Sequence, residues 1–447
     1  MNKIKIKYYE NSCIYGEILH KHDWFVFLDS CYDVSGFGEH DIISCNPYMT
    51  LISYGNKITV NNGSTTSSFY DDPIDVIKNM YNFSDFSSEI PFDYGLIGYF
   101  GYEAFNSNEY LLEGEFPDIA VGFYNWAIVV NHKSKETYLS YKFMNDFVEY
   151  ILKTFNICNL MIHNIKNCSY KNFKQLTKKI DYINDVNKIK QYISNGDCYQ
   201  VNYSQEFKLE FSGNPWDIYK KIRDINPAPY SSFYKINNKY IISSSPERFI
   251  SVKNNIVETK PIKGTIKRKS DPNLDAKQIN ILKNDEKNIS ENLMIVDLLR
   301  NDISKCCKLN SVKVDKLFNI ESYASVHHMV STISAILKDN ITSLDLLKSC
   351  FPGGSITGAP KKRSMEIIRE LEKRKRGIYC GSIGYFNGNN NMDTNISIRT
   401  LTLTNGKISF SAGGGIVCDS DAIQEYYESM QKVAIFINYF SNGNFKW

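Results

Sequence analysis

The sequence predicts a mixed α/β or α+β protein with two strand-rich halves, and three observations support this fold class. Runs of β-branched and aromatic residues, separated by Gly, Asn and Ser, recur along the chain as expected for strands. Segments with apolar residues at helical spacing lie between such runs in the second half. The 447 residues are 43% hydrophobic and 14% aromatic, which is enough apolar material to bury a large core.

The predicted elements follow one another along the chain. Four strand runs precede residue 145: WFVFLDS, YMTLISYG, GLIGYFGYE and FYNWAIVV. A Lys- and Asn-rich segment over about residues 164–190 is expected to connect the halves, although much of it also suits a helix. Helical spacing marks residues 183–195 and 285–299, and a third helix is predicted after Pro360. Further strands are predicted at KYIISSS, MDTNISIRTLTL and KISFSAGG.

Charge and cysteine content exclude several classes of protein. The 52 Lys and Arg against 49 Asp and Glu give a net charge of +3, too balanced for an extended nucleic-acid-binding tract. No apolar run follows the opening MNKIKIKYYE, so no secretory signal is expected, and no window approaches the roughly 20 apolar residues of a membrane span. Eleven irregularly spaced Cys without a CxxC pair indicate reduced thiols. We therefore expect a cytoplasmic globular protein that binds neither nucleic acid nor membrane.

Two Gly-rich segments of the second half are candidates for a ligand-binding site. In FPGGSITGAPKKR, residues 351–363, the glycines allow a tight loop. Pro360 suits the first turn of a following helix, whose free N–H groups favour an anion. In SAGGGIV, residues 411–417, three consecutive Gly after a strand let a ligand approach the backbone. Taken alone, an ordinary turn and a β-bulge explain these segments at least as well.

Three carboxylates are candidates for a metal site. Glu425 and Glu428 are three residues apart in a predicted helix that also carries Lys432, and Glu291 lies in a separate helical segment. Two or three convergent carboxylates can hold Mg²⁺, which prefers oxygen ligands. Without further evidence, a solvated helix face with a Glu428–Lys432 ion pair is the simpler interpretation.

Three further side chains have chemistry that suits a site. Lys263 in ETKPIKGT is flanked by Pro and Gly, and a lysine held there can act as a nucleophile, although most lysines are surface residues. His328 in ASVHHMVSTI can position a substrate or be a half-buried structural side chain. Arg399 in SIRTL can bind a carboxylate or pair with an acidic neighbour.

Taken together and in order, these segments resemble the chorismate-utilising enzymes. That family includes anthranilate synthase component I, aminodeoxychorismate synthase component I, and the isochorismate and salicylate synthases. The likeness runs from about residue 183 to 435 and is thinner before that, where WFVFLDSCY and DIISCNP are similar to the N-terminal pattern of the two amine-forming branches. The matching segments are GDCYQVNYSQ, SSSPERFI, ETKPIKGT, SENLMIVDLLRNDI, YASVHHMVSTI, FPGGSITGAPKKR, GIYCGSIGYF, SIRTL, SAGGGIV and EYYESMQK.

The resemblance implies an α+β fold in which two large β-sheets form a sandwich, with intertwined halves and helices packed outside. It implies a strand-rich N-terminal part over residues 1–165 and a chorismate-binding catalytic part over residues 180–447, joined in one globular unit. Ser30 in FLDS, together with Pro229 and Tyr230 in NPAPY, resembles the walls of the family's tryptophan pocket. In the aminodeoxychorismate branch such a pocket can be structural, linked to feedback, or empty.

The resemblance also implies roles within the site. Chorismate is a dianion whose C4 hydroxyl leaves poorly without a proton, so it requires cations, backbone donors and an acid. Glu247 in SPERF matches that acid, and His328 matches a residue close to the reacting ring. The positions that match the Mg²⁺ ligands, through which the ring carboxylate is bound, are Glu291, Glu425 and Glu428. Arg399 and Tyr379 match the residues that bind the enolpyruvyl carboxylate. The other positions that match substrate-binding residues are Gly264, Thr265, Ser355, Gly413, Gly415 and Lys432.

Two positions predict the branch of the family. Water-using members carry a lysine base where this chain has Gln200, so Gln200 argues against isochorismate or salicylate synthesis. Anthranilate synthases usually read PIAGT, whereas aminodeoxychorismate synthases carry a lysine, as Lys263 does here. In that branch the lysine is thought to attack C2 of chorismate and expel the C4 hydroxyl, after which ammonia enters at C4. The predicted product is 4-amino-4-deoxychorismate, a precursor of 4-aminobenzoate and folate.

Two alternatives stay open, and two positions depart from the family pattern. The alternatives are anthranilate synthase component I and, more remotely, a non-catalytic ligand-binding or regulatory subunit. Asn288 stands where relatives often carry Glu or Asp, which is expected to weaken the metal site or a proton transfer, and Glu206 replaces the usual Arg of SQRF. The chain contains no GxCxG nucleophile elbow, so the resemblance implies a separate glutamine amidotransferase subunit that supplies ammonia.

Overall fold

Two antiparallel β-sheets, each of twelve strands in the described part of the chain, form the centre of the molecule. The structure is a computed structural model that describes residues 2–32, 38–81, 88–105, 114–157, 161–163, 165, 168–323, 326–441, 443 and 445. The strands are β1 Asn2–Ile6, β2 Val26–Asp29, β3 His40–Ser44, β4 Met49–Tyr54, β5 Lys57–Asn61, β6 Thr66–Tyr70, β7 Gly95–Phe100, β8 Ile119–Tyr124, β9 Trp126–Asn131, β10 Glu136–Tyr141, β11 Ser169–Gln175, β12 Gln200–Ser212, β13 Tyr230–Ile236, β14 Lys239–Ser245, β15 Arg248–Lys253, β16 Ile256–Thr259, β17 Ile262–Lys267, β18 Lys313–Ser322, β19 Val326–Ile336, β20 Gly358–Ala359, β21 Ser382–Asn387, β22 Met392–Asn395, β23 Thr400–Thr404 and β24 Lys407–Ile416.

The two sheets draw their strands from both ends of the chain. The first sheet has the order β1-β10-β9-β3-β2-β13-β14-β23-β24-β12-β11, with β20 paired to β12. The second has the order β17-β19-β16-β15-β22-β21-β7-β8-β4-β5-β6, with β18 paired to β19. Strands that precede residue 142 and strands that follow residue 168 therefore occur in both sheets. The intertwined halves are confirmed, whereas the division at residues 165 and 180 stays a prediction.

Helices pack on the outer faces of the sheets. The helices are α1 Cys13–Leu19, α2 Pro73–Met80, α3 Asp146–Ile157, α4 Lys179–Ser194, α5 Pro215–Ile225, α6 Pro272–Lys283, α7 Glu286–Ser304, α8 Ser343–Cys350, α9 Lys361–Glu372, α10 Ala422–Lys432 and α11 Ala434–Phe440, and Gly354–Ile356 forms a 3₁₀ turn. The three predicted helices are confirmed as α4, α7 and α9. Pro360 directly precedes α9 as its N-cap and does not belong to the first helical turn. Within the described ranges, no helix is long and apolar enough to cross a membrane.

Three groups of buried apolar side chains hold these layers together. One lies between the sheets and includes Tyr99 from β7 and Tyr234 from β13. The second joins the first sheet to the helices outside it and includes Trp216 of α5. The third joins the second sheet to its own helices and includes Ile295 of α7 and Leu344 of α8. This layering is the predicted α+β sandwich of two sheets with outer helices.

Three pairs of consecutive strands pass from one sheet to the other with almost no loop. β8 and β9 change sheets at Asn125, β14 and β15 at Pro246–Glu247, and β22 and β23 between Ile396 and Arg399. Arg399 has a φ of +50°, a left-handed conformation that redirects the chain. The runs FYNWAIVV and MDTNISIRTLTL therefore each contain residues of two strands in different sheets. The last two crossovers lie side by side, because the N–H of Ile396 donates to the carbonyl of Glu247 over 3.0 Å.

Candidate active site

Lys263 lies in an irregular part of β17 on the second sheet. The pairing of β17 with β19 shifts register between Ile262 and Thr265, so Lys263 is part of a β-bulge. Its Nζ lies 3.8 Å from Glu291 Oε2 of α7, and both side chains are 13% exposed. The structure therefore brings these two predicted site residues together, and the bulge directs the lysine toward the first helical turns of α7.

Gly264, the next residue of this bulge, must be a glycine for two reasons. Its φ of +85° is one that L side chains rarely adopt. A Cβ atom there would also lie 2.9 Å from Leu282 Cδ1 and 3.0 Å from Asn288 Cγ. Asn288 is itself fixed, because its side-chain amide donates to Asp285 Oδ2 over 2.8 Å. Asn288, which departs from the family pattern, thus lies against the bulge that holds Lys263. The expected effect of Asn288 on the metal site stays a prediction.

Glu247 is a buried carboxyl group at the crossover between β14 and β15. It is 7% exposed and accepts a hydrogen bond from the Ser355 hydroxyl over 3.2 Å. Burial raises the pKa of Glu247 to about 7, although the charge of Lys263 and the hydrogen bond from Ser355 oppose the rise. A carboxyl group with this pKa can donate a proton near neutral pH. The structure thus brings Glu247 and Ser355 together, as the sequence predicted.

His328 and Arg399 are two further candidate site residues, and the charge of Arg399 acts on His328. The hydroxyl of Thr265 and Nδ1 of His328 form a hydrogen bond of 2.7 Å, and the Tyr323 ring packs edge-on at 5.2 Å between centroids. Burial, aided by the charge of Arg399, lowers the pKa of His328 to about 4, so this imidazole is neutral at neutral pH. Burial also lowers the pKa of Arg399. Among the residues that the structure describes, its guanidinium has no ion-pair or hydrogen-bond partner, and such a group suits a substrate carboxylate.

Tyr379 is buried next to a different arginine. Its ring centroid lies 5.8 Å from Cζ of Arg376, and the residue is 6% exposed. Arg376 donates to the carbonyl oxygens of Ile356 and Asn202 and forms an ion pair of 2.7 Å with Glu372. Arg376 thereby ties Tyr379 to the 3₁₀ turn that carries Ser355. Sequence reasoning missed Arg376. That Tyr379 binds the enolpyruvyl carboxylate together with Arg399 stays a prediction.

Glu425 and Glu428 of α10 face the Gly-rich end of β24. A Cβ atom at Gly414 would lie 3.3 Å from Glu425 Oε2 and 3.8 Å from Glu428 Oε1. Glu425 is 3% exposed and accepts a hydrogen bond from the Ser420 hydroxyl over 2.7 Å. Glu425 is therefore turned inward, whereas the side chains of Glu428 and Lys432 are 50% and 42% exposed, as the simpler interpretation of a solvated face predicted. Sequence reasoning named the glycines on either side of Gly414 but missed Gly414 itself.

Each of the three predicted metal ligands contacts a lysine. The pairs are Glu291 with Lys263 at 3.8 Å, Glu425 with Lys287 at 3.3 Å, and Glu428 with Lys432 at 2.8 Å. The predicted Glu428–Lys432 pair is thus confirmed. Lys287 was not predicted as a site residue, although it lies one helical turn before Glu291. Burial acts to lower the pKa of Lys287, but the charges of Glu425, Glu291 and Glu428 act together to raise it. The charges of all three carboxylates therefore act on one ammonium group, that of Lys287.

The chemistry of this carboxylate cluster, formed by Glu291, Glu425 and Glu428, fits Mg²⁺. Carboxylate oxygens are the ligands that this hard cation prefers, and it is usually bound through one or two of them together with waters and substrate oxygens. In the part of the chain that the structure describes, no group of three or more His, Cys, Asp or Glu side chains has metal-binding geometry. A cation bound here would have to displace lysine ammonium groups from the carboxylates.

Gln200, at the start of β12, presents an unpaired amide. The residue is fully buried, yet neither Nε2 nor Oε1 has a protein hydrogen-bond partner among the described residues. A Cβ atom at Gly415 would lie 2.9 Å from Gln200 Nε2, and one at Gly413 would lie 2.2 Å from the carbonyl oxygen of Tyr203. The two glycines thus permit close packing of β24 against β12. A buried amide without a partner is unusual in a folded protein.

A separate cavity of about 750 Å³ lies between the two sheets. Ser30, Pro229 and Tyr230 all line it, so the structure brings together the three residues predicted to form one pocket. The N–H and hydroxyl groups of Ser30 donate to Asp41 Oδ1 over 2.8 and 2.7 Å, and Nε2 of His132 lies 2.7 Å from Asp41 Oδ2. Sequence reasoning missed this buried Asp41–His132 pair.

The fold and the site define an enzyme for a small anionic substrate, with a buried acid, an adjacent lysine and an unpaired arginine. The chain belongs to the chorismate-binding enzymes, because the sequence pattern of that family matches residues 29–438. Both the predicted family and the predicted fold are therefore confirmed.

Relatives come from both amine-forming branches. Aminodeoxychorismate synthase component 1 of Escherichia coli (strain K12) is 40% identical over 428 residues, which are 92% of each chain. Anthranilate synthase component 1 of Acetivibrio thermocellus is 36% identical over 433 residues, 91% of this chain and 87% of that protein. The crystal structure of anthranilate synthase component I from Streptococcus pneumoniae TIGR4 superposes with a TM-score of 0.79 at 32% identity, covering 88% of this chain and 91% of that one.

Proposed function

We propose that this enzyme aminates chorismate at C4 to give 4-amino-4-deoxychorismate, in a Mg²⁺-dependent reaction that uses Lys263 as a nucleophile. The observation that supports this most directly is the position of Lys263, in a bulge beside Glu291 and within the electrostatic influence of the buried acid Glu247. The 40% identity to an aminodeoxychorismate synthase component 1 over 92% of the chain supports the same branch.

The proposed chemistry uses Lys263 and Glu247 in turn. The unprotonated amine of Lys263 attacks C2 of chorismate, both ring double bonds shift, and the C4–O bond breaks. Glu247 gives its proton to the departing oxygen, which leaves as water. Ammonia then adds at C4 and gives one proton back to Glu247, the double bonds shift back, and the C2–N bond breaks to release the amine of Lys263.

The remaining site residues are proposed to hold the substrate. Arg399 binds the enolpyruvyl carboxylate, because a confined and unpaired guanidinium suits a carboxylate. Mg²⁺ held by the carboxylate cluster would bind the ring carboxylate of chorismate and offset its charge. Neutral His328, fixed by Thr265, offers a hydrogen bond beside the ring without adding a charge.

Two further partners belong to this proposal. A separate glutamine amidotransferase subunit supplies the ammonia, which agrees with the name component 1 of the relatives. The cavity between the sheets binds an aromatic amino acid such as tryptophan, because Tyr230 offers an aromatic wall and Ser30 a polar one. Calorimetric titration with tryptophan tests the second point, and absence of heat at millimolar ligand contradicts it.

A chromatographic product assay tests the function. Purified protein receives chorismate, Mg²⁺ and ammonium near pH 7, where Glu247 still carries a proton, with or without aminodeoxychorismate lyase. We expect 4-aminobenzoate that depends on the lyase. Lys263→Ala should lower the rate at least about 100-fold, whereas Lys260→Ala, which removes a partly exposed lysine paired at 3.7 Å with Glu258, should leave it unchanged.

The other outcomes of this assay separate the alternatives. Anthranilate formed without the lyase would assign the chain to the tryptophan branch. Unchanged turnover in Lys263→Ala would refute the covalent role while leaving the amination intact. Chorismate binding without any product, with the amidotransferase present, would instead assign a binding subunit.

A further inference from the structure

Three lysines contact the carboxylate cluster, and one of them, Lys287, has an unfavourable position on its own helix. It lies in the first turn of α7, four residues before Glu291, so both side chains project from one face of the helix. The positive end of the helix dipole disfavours a cation at this end. The reason for a lysine here must therefore come from the groups that face it across the site.

Those groups are carboxylates from two helices. The Nζ of Lys287 lies 3.3 Å from Glu425 Oε1, and the charges of Glu291 and Glu428 act on it as well. The Glu425 side chain is only 4% exposed, whereas that of Lys287 is 49% exposed. A buried carboxylate without a counter-charge is strongly unfavourable. Lys287 supplies this counter-charge from the solvent side of the cluster.

The other two lysines of the cluster have further contacts. Lys432 also donates to the carbonyl oxygen of Gly413 over 3.0 Å, and Lys263 is held in the bulge of β17. Over the described stretches of the chain, the side chain of Lys287 makes no hydrogen bond except the one to Glu425. Its long, half-exposed side chain can therefore leave the cluster for solvent at the loss of a single contact.

We propose that Lys287 is an internal counter-ion that competes with a divalent cation for Glu425 and so lowers the affinity of the carboxylate cluster for that cation. The inference rests on the proposed function, since the competing cation is the Mg²⁺ assigned there. Binding exchanges one cation for another, and no covalent bond changes. Lys287 keeps the buried carboxylate of Glu425 neutralised before Mg²⁺ binds. Exchange of its single positive charge for the double charge of Mg²⁺ then leaves the cluster less negative toward an anionic substrate.

The test measures Mg²⁺ binding without turnover. The melting temperature of the full-length protein is recorded against MgCl₂ concentration at constant ionic strength, because a ligand of the folded state raises it. Lys287→Met removes the charge and keeps the chain length, and Lys287→Arg keeps the charge. Lys283→Met is the matched control, since Lys283 is an exposed lysine in the last turn of the neighbouring helix α6.

We expect Lys287→Met to bind Mg²⁺ about fivefold more tightly, the ratio that corresponds to one half-exposed ion pair. Lys287→Arg and Lys283→Met should match the natural protein. Equal or weaker binding by Lys287→Met, or equal tightening in Lys283→Met, overturns the inference and leaves the Mg²⁺ site standing. If no protein responds to MgCl₂ and amination proceeds in EDTA, the Mg²⁺ dependence of the proposed function fails, and the inference fails with it.

Discussion

Ser355 donates a hydrogen bond to Glu247 over 3.2 Å at the point where β14 and β15 change sheets. The carbonyl of Glu247 in turn accepts from the N–H of Ile396, which begins the neighbouring crossover that carries Arg399. The proposed proton donor and the proposed carboxylate-binding group are thus positioned by the same architectural feature. The two chain crossovers thus position Glu247 and Arg399, whereas Lys263 is carried by the bulge of β17 and the carboxylate cluster by α7 and α10.

The pH dependence of turnover should report on Glu247. An acid must be protonated to act, and the pKa of Glu247 is about 7, so the rate should fall as the pH rises through 7. Glu247→Gln should lose at least about 100-fold in kcat. The Ser355 hydrogen bond lowers this pKa, so Ser355→Ala should move the fall in rate to higher pH. A profile of kcat against pH measures both effects, and an unshifted profile in Ser355→Ala would exclude Glu247 as the titrating acid.

Substitution of Gly264 should destabilise the protein and disturb Lys263. Gly196 is a matched control, because its φ of +82° is close to the +85° of Gly264 and its Cβ would meet no atom within 4 Å. We expect Gly196→Ala to cost about 1 kcal/mol of unfolding free energy, and Gly264→Ala to cost a further 1–3 kcal/mol from crowding. Urea unfolding measures the difference. Equal costs would mean that Leu282 and Asn288 move aside, and the bulge would then tolerate a side chain.

Replacement by methionine should change the stability of the protein differently at two buried glutamines of β12, Gln205 and Gln200. Gln205 Nε2 donates to Ser429 Oγ over 2.7 Å, and its Oε1 accepts from Gln175 over 2.6 Å, whereas the amide of Gln200 has no protein partner among the described residues. Gln205→Met should therefore cost about 1–3 kcal/mol, because it leaves partners unpaired. Gln200→Met should be neutral or stabilising without substrate, yet slow the amination. A large loss of stability in Gln200→Met would contradict the assignment of its amide to a ligand.

Local sequence patterns were sufficient to group candidate residues, but not to assign their roles. Lys263 and Gly264 are neighbours, and Glu425, Glu428 and Lys432 share one helix face, so short spacing alone brings each group together. Helical spacing likewise predicted α7 and α9. What joins these segments into one site was predicted only through the resemblance to a family, because periodicity does not tell which strands share a sheet.

The contacts that sequence reasoning missed connect residues far apart in the chain. Lys287 and Glu425 are separated by 138 residues, and Asp41 and His132 by 91. Lysine on an exposed helix is so common that Lys287 gave no signal of its own. The left-handed turn at Arg399 could not be predicted for another reason. Strand-forming residues lie on both sides of it, and such residues do not show whether the two strands belong to one sheet or to two.

Arg399 should contribute to substrate binding at the expense of stability. Its half-buried guanidinium has no partner in the described ranges, so Arg399→Met should raise the melting temperature, because a partly desolvated charge is removed. The same variant should raise the KM for chorismate about 100-fold, the effect of losing a bidentate contact to a carboxylate. Steady-state kinetics and thermal unfolding measure the two effects.

Arg248 provides the matched control for that variant. Its guanidinium forms ion pairs of 2.9 Å with Asp393 and 2.8 Å with Glu258, so its charge is already satisfied within the protein. Arg248→Met should therefore lose about 1.5–3 kcal/mol of unfolding free energy, the contribution of hydrogen bonds to charged groups. If Arg399→Met lost stability as Arg248→Met does and kept its KM, Arg399 would be a structural residue and the substrate carboxylate would bind elsewhere.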